Sequence, residues 1–227
     1  MKKILIGLAC VLIYMMPANA VTKSIGITLV DSTIDSRVTD DIDSNGTIDT
    51  TKDISNDVGY GSIFFEGSQD FGPGSVTFGI DLIPVAAEFD SRTVSQQASG
   101  AKGQGASPQK TGNNSGTVDV SQHITLYVQP GITTSNGLTI FGTLGYVDAN
   151  AEADVKSISS THKKEDLSLN GVKLGFGIKK SFGDDMFFKL EYAETDYDDI
   201  SVTTSNSTKV TADIDNTTLA LSLGKSF

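Results

Sequence analysis

The chain is poor in the residues that usually announce a mechanism. It has one cysteine, Cys10, no tryptophan, two histidines and five prolines in 227 residues. A single cysteine excludes an intrachain disulfide and any cysteine-rich metal centre. Basic residues are scarce, 17 against 28 acidic ones for a net charge of −11. That balance excludes a surface built to grip nucleic-acid phosphates. Beyond Met16 no apolar run is long enough for a membrane-spanning helix. Neither G-x-S-x-G nor H-E-x-x-H occurs, and "GFGIKK" and "GYGSIF" do not have the form of nucleotide loops. Their glycines are expected to be small lining residues in a crowded interior.

The first twenty residues are of a different kind. Lys2 and Lys3 precede an apolar stretch from Ile4 to Met16, then Pro17 and Ala18-Asn19-Ala20. This pattern predicts a secretory signal peptide over 1–20, cleaved near Ala20, leaving 21–227 as one domain. The lipoprotein alternative at Gly7-Leu8-Ala9-Cys10 fails because the apolar run before Cys10 is too short and Gly7 stands where an aliphatic residue is needed. Cleavage removes Cys10, Lys2 and Lys3, so 15 basic residues face 28 acidic ones, a net −13.

The remainder alternates with a period of two. Val172, Leu174, Phe176 and Ile178 share one face, Lys173, Gly175, Gly177 and Lys179 the other. The same holds for Val118, Val120, Ile124, Leu126, Val128 and Ile132 against Asp119, Ser121, His123, Thr125, Tyr127 and Gln129. Leu138, Ile140, Leu144 and Tyr146 form a further stripe, as do Phe188, Leu190 and Tyr192, and Leu219, Leu221, Leu223 and Phe227. Ile25, Ile27 and Leu29, and Val76, Phe78, Ile80 and Leu82, add two more. Residues 57–69 read as a strand by composition, but Ile63, Phe64 and Phe65 are apolar on both faces, so the period leaves the inward side open. These are eight half-buried strands.

Their connections alternate in length. Short turns fall at 70–74, 133–137 and 182–185, and long polar gaps at 34–56, 91–116, 154–166 and 199–208. Such alternation in an antiparallel meander puts every long loop at one end, which a soluble sandwich has no reason to do. The expected fold is all-β: an eight-stranded antiparallel up-and-down transmembrane β-barrel with four long outer loops. The stretch 95–116, polar and glycine-rich, is expected to be a mobile loop.

With its layout and its terminal "LALSLGKSF", the mature chain resembles the small eight-stranded outer-membrane barrels of the OmpX, OmpA-domain and Opa-like kind, often called porin-family barrels. The resemblance implies a bacterial outer-membrane location and assembly by the outer-membrane machinery, with Leu219, Leu221, Leu223 and Phe227 as the assembly signal. Lys225 departs from the family pattern on the lipid face, where a lysine at the rim can snorkel. No periplasmic domain is expected after Phe227. The resemblance says little of activity.

An eight-stranded barrel is just wide enough for its side chains to fill. The expected lumen network is Asp81, Asp119, His123, Tyr127, Lys173, Lys179, Lys189 and Glu191, with opposite charges paired because isolated buried charges are costly. The function expected is therefore structural or surface-interaction work by the outer loops, without catalysis. A small ion or solute channel is the alternative, and a lipid-modifying enzyme using Ser121, His123 and Thr125 the third reading. Expected partners are outer-membrane lipid and lipopolysaccharide, and the protein is expected to be a monomer that binds no nucleic acid.

One further phrase stands out. In "DDIDSNGTIDTTKD", Asp41, Asp43, Asn45, the Thr47 carbonyl and Asp49 take the spacing of a calcium loop around Gly46. The twelfth position is Lys52, which cannot ligate, and Asp53 is the candidate replacement. The eight aspartates between 31 and 57 face only Arg37 and Lys52, a local net of −6. No cofactor is required by the fold. Weak Ca²⁺ binding is the sharp reading of the motif and an acidic Asn-Gly turn the plain one.

Overall fold

The computed structural model describes residues 21–41, 46–84, 87–97, 111–157, 160–203 and 209–227; within these, the side chains of 40, 87–97, 111–122, 151–157, 160–166, 202–203 and 210 are not described. Nine β-segments are present: β1 (Thr22–Asp41), β2 (Thr50–Phe71), β3 (Gly74–Ile83), β4 (Ala87–Gln97), β5 (Thr111–Thr133), β6 (Leu138–Ser157), β7 (Ser160–Phe182), β8 (Met186–Thr203) and β9 (Lys209–Ser226). Both β3 and β4 pair with β5, through Ile83↔His123 and Ala87↔Val120. They are two lengths of one strand, interrupted at Pro84, which has no amide hydrogen to give the ladder. Eight antiparallel strands result, as the period predicts.

The ring closes because β1 pairs with β9 from Ser24↔Ser226 to Asp41↔Lys209, while β3 joins β2 to β5. All the short turns lie at one end. Gly72, Gly137 and Gly183 take φ of +67°, +73° and +56° there, a region open to glycine at little cost. The start of β1 and the end of β9 meet at the same end, where Phe227 donates its amide to the Lys23 carbonyl at 2.8 Å.

Four expected loops need correction. Strands run far into each: β1 reaches Asp41, β4 reaches Gln97, β5 starts at Thr111, β6 reaches Ser157, β7 starts at Ser160 and β8 reaches Thr203, while 98–110 of the expected mobile loop lie outside the described residues. The strands other than the β3–β4 pair are 18 to 23 residues long. A membrane crossing needs only ~9–11. The extra length was hidden because the side-chain alternation reverses phase. Near the turns Ile25, Ile27 and Leu29 point outward and are 41, 57 and 67 % exposed, while Ser24 and Thr28 are buried inside. Past Leu29 the apolar residues Val30, Ile34 and Val38 move to the inward positions, and Asp31, Asp35 and Arg37 face out.

The same switch occurs in β6 and β7. Outward Val172, Leu174 and Phe176 give way to Leu169, buried inside, and outward Leu144 and Tyr146 to buried Val147 and Ala149. Tyr197, Val147, Ala149 and Leu169 form an apolar core, with Leu167, Ile200 and Ile214 packed against it. The barrel therefore has two storeys. The lower is apolar outside and polar inside, as a lipid-embedded barrel must be. The upper is apolar inside and polar outside, as in a soluble sandwich.

The upper storey is also open along two seams. The β7–β8 ladder ends at Gly171↔Tyr197 and the β2–β3 ladder at Ile63↔Leu82. Above these points the wall divides into two four-stranded sheets, β2-β1-β9-β8 and β7-β6-β5-β4. The apolar core draws residues from both.

Candidate functional site

Glycines and rings fit together across the lower interior. An added Cβ at Gly26 would overlap the Phe64 ring, one at Gly224 the Phe187 ring, and one at Gly79 the Tyr127 ring. Phe64 and Phe187 are 1 % exposed and lie 6.1 Å apart between centroids. The expectation of glycine as interior lining holds for Gly177, whose Cβ would meet Phe141, and for Gly175 against Ala193. It is wrong for Gly59 and Gly61 of "GYGSIF", which are exposed on the outer face because Tyr60 and Ser62 take the inward positions.

Charge fills the remaining space. Lys189 and Glu66 form a buried ion pair, and the Tyr127 hydroxyl donates to Glu66 Oε1 at 2.8 Å. Lys173 Nζ lies 2.6 Å from Glu191 Oε1. Glu191 Oε2 accepts from Gln129 Nε2 at 2.9 Å and from Thr143 at 3.1 Å. Asp81 accepts from Ser62 at 2.8 Å. Lys179 sits with its ammonium 3.9 Å from the Phe187 ring centroid, a cation–π contact. His123 Nε2 meets the Tyr197 hydroxyl at 3.1 Å. Seven of the eight expected lumen residues thus lie in the interior, and the Asp119 side chain lies outside the described residues.

The space left among these groups is about 60 Å³, bordered by Thr28, Ser62, Asp81, Lys173, Lys189 and Glu191. That holds a few water molecules, since one water needs roughly 10–15 Å³, and a second space of about 320 Å³ opens toward the turns beside Gln129, Thr139 and Lys179.

Glu66 is the member that period-two reasoning missed. The stretch around it is apolar on both faces, so hydropathy gives no phase. Its own charge does: a carboxylate in a membrane-spanning strand cannot face lipid cheaply. Placing Glu66 inward puts Phe64 and Ser62 inward and Phe65 and Ile63 outward, which is the observed arrangement.

The remaining singled-out residues distribute as follows. Leu219, Leu221, Leu223 and Phe227 line the outer face, 51, 54, 44 and 74 % exposed, with Lys225 beside them. Of the Ser/His cluster, Thr125 is buried and His123 is engaged by Tyr197, while the Ser121 side chain is not described. In the calcium-like stretch Asp41 ends β1 and its Oδ2 accepts the Gly46 amide at 2.8 Å. Gly46 has φ +84°, and Thr47 and Asp49 lead into β2. Asp43 and Asn45 fall outside the described residues. Asp53, expected as the substitute last ligand, instead lies down the ladder opposite Arg37, whose Nε donates to it at 3.0 Å.

Outside the upper storey, the sheet β2-β1-β9-β8 carries Asp31, Asp35, Asp53, Asp57, Glu194, Asp196, Asp213 and Asp215, with Arg37, Lys52 and Lys209 as its exposed cations among the described residues. Asp35, Asp215 and Asp196 stand directly opposite one another across three strands.

The chain is similar to several solved structures at low identity. Ail, the attachment invasion locus protein of Yersinia pestis, is 13 % identical over 90 % of this chain and 98 % of its own, with a TM-score of 0.40. Neisserial surface protein A is 6 % identical over 88 and 97 %, with a TM-score of 0.40. The outer membrane protease OmpT of Escherichia coli is 9 % identical over 92 and 97 %, with a TM-score of 0.45. No curated protein matches the sequence significantly. The family model for the outer membrane protein beta-barrel domain matches residues 6–227, and the chain belongs to that bacterial outer-membrane family.

Proposed function

We propose that this barrel is a plugged, non-enzymatic anchor whose work is surface interaction, done by the storey that stands outside the membrane. One observation carries this reading: the reversal of side-chain phase in β1, β6 and β7, by which the upper part of the described strands is built like a soluble protein with its own core. A barrel serving only as a pore needs no such storey. The filled lumen argues in the same direction against an ion path. Outer-leaflet lipid and lipopolysaccharide are the partners for the outer face of the upper storey where it meets the membrane. There the facing row Asp35, Asp215 and Asp196 repels itself, and divalent cations shared with lipopolysaccharide phosphates would relieve that repulsion. The barrel acts as a monomer inserted by the assembly machinery.

The test is removal of part of the storey. Replacing residues 34–56 by a short turn should leave a barrel that still migrates differently before and after boiling. Cells carrying it should lose the binding to protein-coated surfaces that the full chain confers. Unchanged binding by the shortened chain would overturn the reading.

A further inference from the structure

Toward the short turns the lower interior widens into a cup. Its volume is about 320 Å³, and small-molecule pockets run from ~300 to 1,000 Å³. Asp70, Thr133, Gly137 and Ser181, beside the turns, line its mouth together with Thr22 and Ser226 at the strand ends. Inward it is bordered by Phe141, 5 % exposed, and by Gln129, whose Nε2 is already engaged by Thr143 and Glu191. In outer-membrane barrels the short turns face the periplasm, so the cup takes its contents from that side.

Two features of the lining set its chemistry. The first is Lys179. Lys173 and Lys189 each hold a carboxylate, Glu191 and Glu66 respectively. Lys179 instead has the Phe187 ring centroid 3.9 Å from its ammonium, and among the described residues no carboxylate lies within ion-pairing distance of it. A ring face offsets only part of the hydration that a half-buried ammonium gives up, and it leaves N–H donors unspent. The second feature is a set of paired hydroxyls. Ser68 meets Thr77 at 2.8 Å, Thr133 meets Thr139 at 2.8 Å, and Ser226 meets Ser24 at 3.0 Å. One O–H is spent within each such pair and the other is left to donate. Thr133 stands opposite Thr139, and Thr139 opposite Lys179, so ammonium and unspent hydroxyls share one wall. Asp70 is the one carboxylate among these lining residues, exposed at the mouth.

We infer that this cup binds a small hydroxylated monoanion, of the class of a single sugar acid. Its carboxylate accepts from Lys179 in a charge-assisted hydrogen bond, and its hydroxyls accept from the unspent O–H groups of the serine and threonine pairs. Asp70 restricts the ligand to one negative charge, because a second one left at the mouth would face it. A neutral sugar leaves Lys179 as it stands. The site lies at the end of the barrel opposite the proposed surface-binding storey and does not depend on that role.

The experiment is calorimetric titration of the full barrel, folded in detergent, with glucuronate, glucose, acetate and glucose 6-phosphate. Glucuronate should bind roughly tenfold more tightly than glucose, the worth of a hydrogen bond to a charged group. It should also bind more tightly than acetate, which has the charge without the hydroxyls. Lys179→Met should abolish the preference for glucuronate over glucose. Lys180→Met should keep it, because Lys180 is engaged by the Asn136 carbonyl at the rim. Asp70→Asn should strengthen glucose 6-phosphate more than glucuronate. A second reading needs no variant: glucuronate should slow acetylation of Lys179 in the wild-type barrel and leave Lys180 unchanged, as followed by mass spectrometry. Equal affinity for glucuronate and glucose would overturn the inference. So would acetate binding as tightly as glucuronate, which would reduce the site to a bare charge, or Lys179 acetylated at the same rate with and without glucuronate.

Discussion

At the residue scale the interior is decided by one buried pair. Glu66 and Lys189 are both nearly sealed from solvent, at 4 and 5 % exposure. Removing one partner leaves the other charge buried and unpaired. Glu66→Ala should therefore cost about 3–5 kcal/mol, whereas exchanging both partners for apolar residues of similar volume is often neutral. Urea titration of the folded barrel in detergent should show Glu66→Ala well below the wild type and Glu66→Met/Lys189→Met close to it. The glycine sockets are similarly specific. Gly224→Ala places a methyl inside the Phe187 ring, and overpacking of this kind costs about 1–3 kcal/mol. The same titration should show Gly224→Ala/Phe187→Leu recovering part of that loss, whereas Gly61→Ala, with open space outside, should change little.

At the scale of elements the sequence reveals the lower storey and conceals the upper one. The stripes Leu219-Leu221-Leu223 and Val172-Leu174-Phe176 face lipid, so their alternation has high contrast and gives both strand and face. Above the belt, the outward residues become aspartate, serine and threonine and the inward ones become single apolar residues such as Ile34, Ile54 and Ile214. Read with the phase of the lower strand, those apolar positions look misplaced, and the segments resemble polar loops. Glu66 was legible only through the cost of a charge in lipid. The seams were not legible at all, since they depend on which strands stop pairing and not on any one strand's composition. Depth sets the cost of a charge on the outer face. Leu174→Arg or Leu221→Arg should destabilise by ~2–4 kcal/mol near mid-membrane. The same titration should find Asp35→Arg or Asp213→Arg, placed in the water-facing storey beside other carboxylates, without that penalty.

At the scale of the molecule, a closed lower barrel carries a water-facing upper storey, to which the proposed work belongs. Heat-modifiability follows from closure. The unboiled protein should run as a compact band that shifts on boiling, and Phe227→Asp should reduce the yield of that band without altering its position. The central claim, that the barrel is plugged and its function lies outside, is tested most directly by conductance. The heat-modifiable protein would be reconstituted in a planar bilayer and recorded across a range of salt concentrations. A plugged barrel should give a quiet trace with no resolved steps. Long-lived steps that grow with salt and change in size with Lys173→Ala or Glu191→Ala would contradict it, and would make the Lys173–Glu191 pair the wall of an ion path.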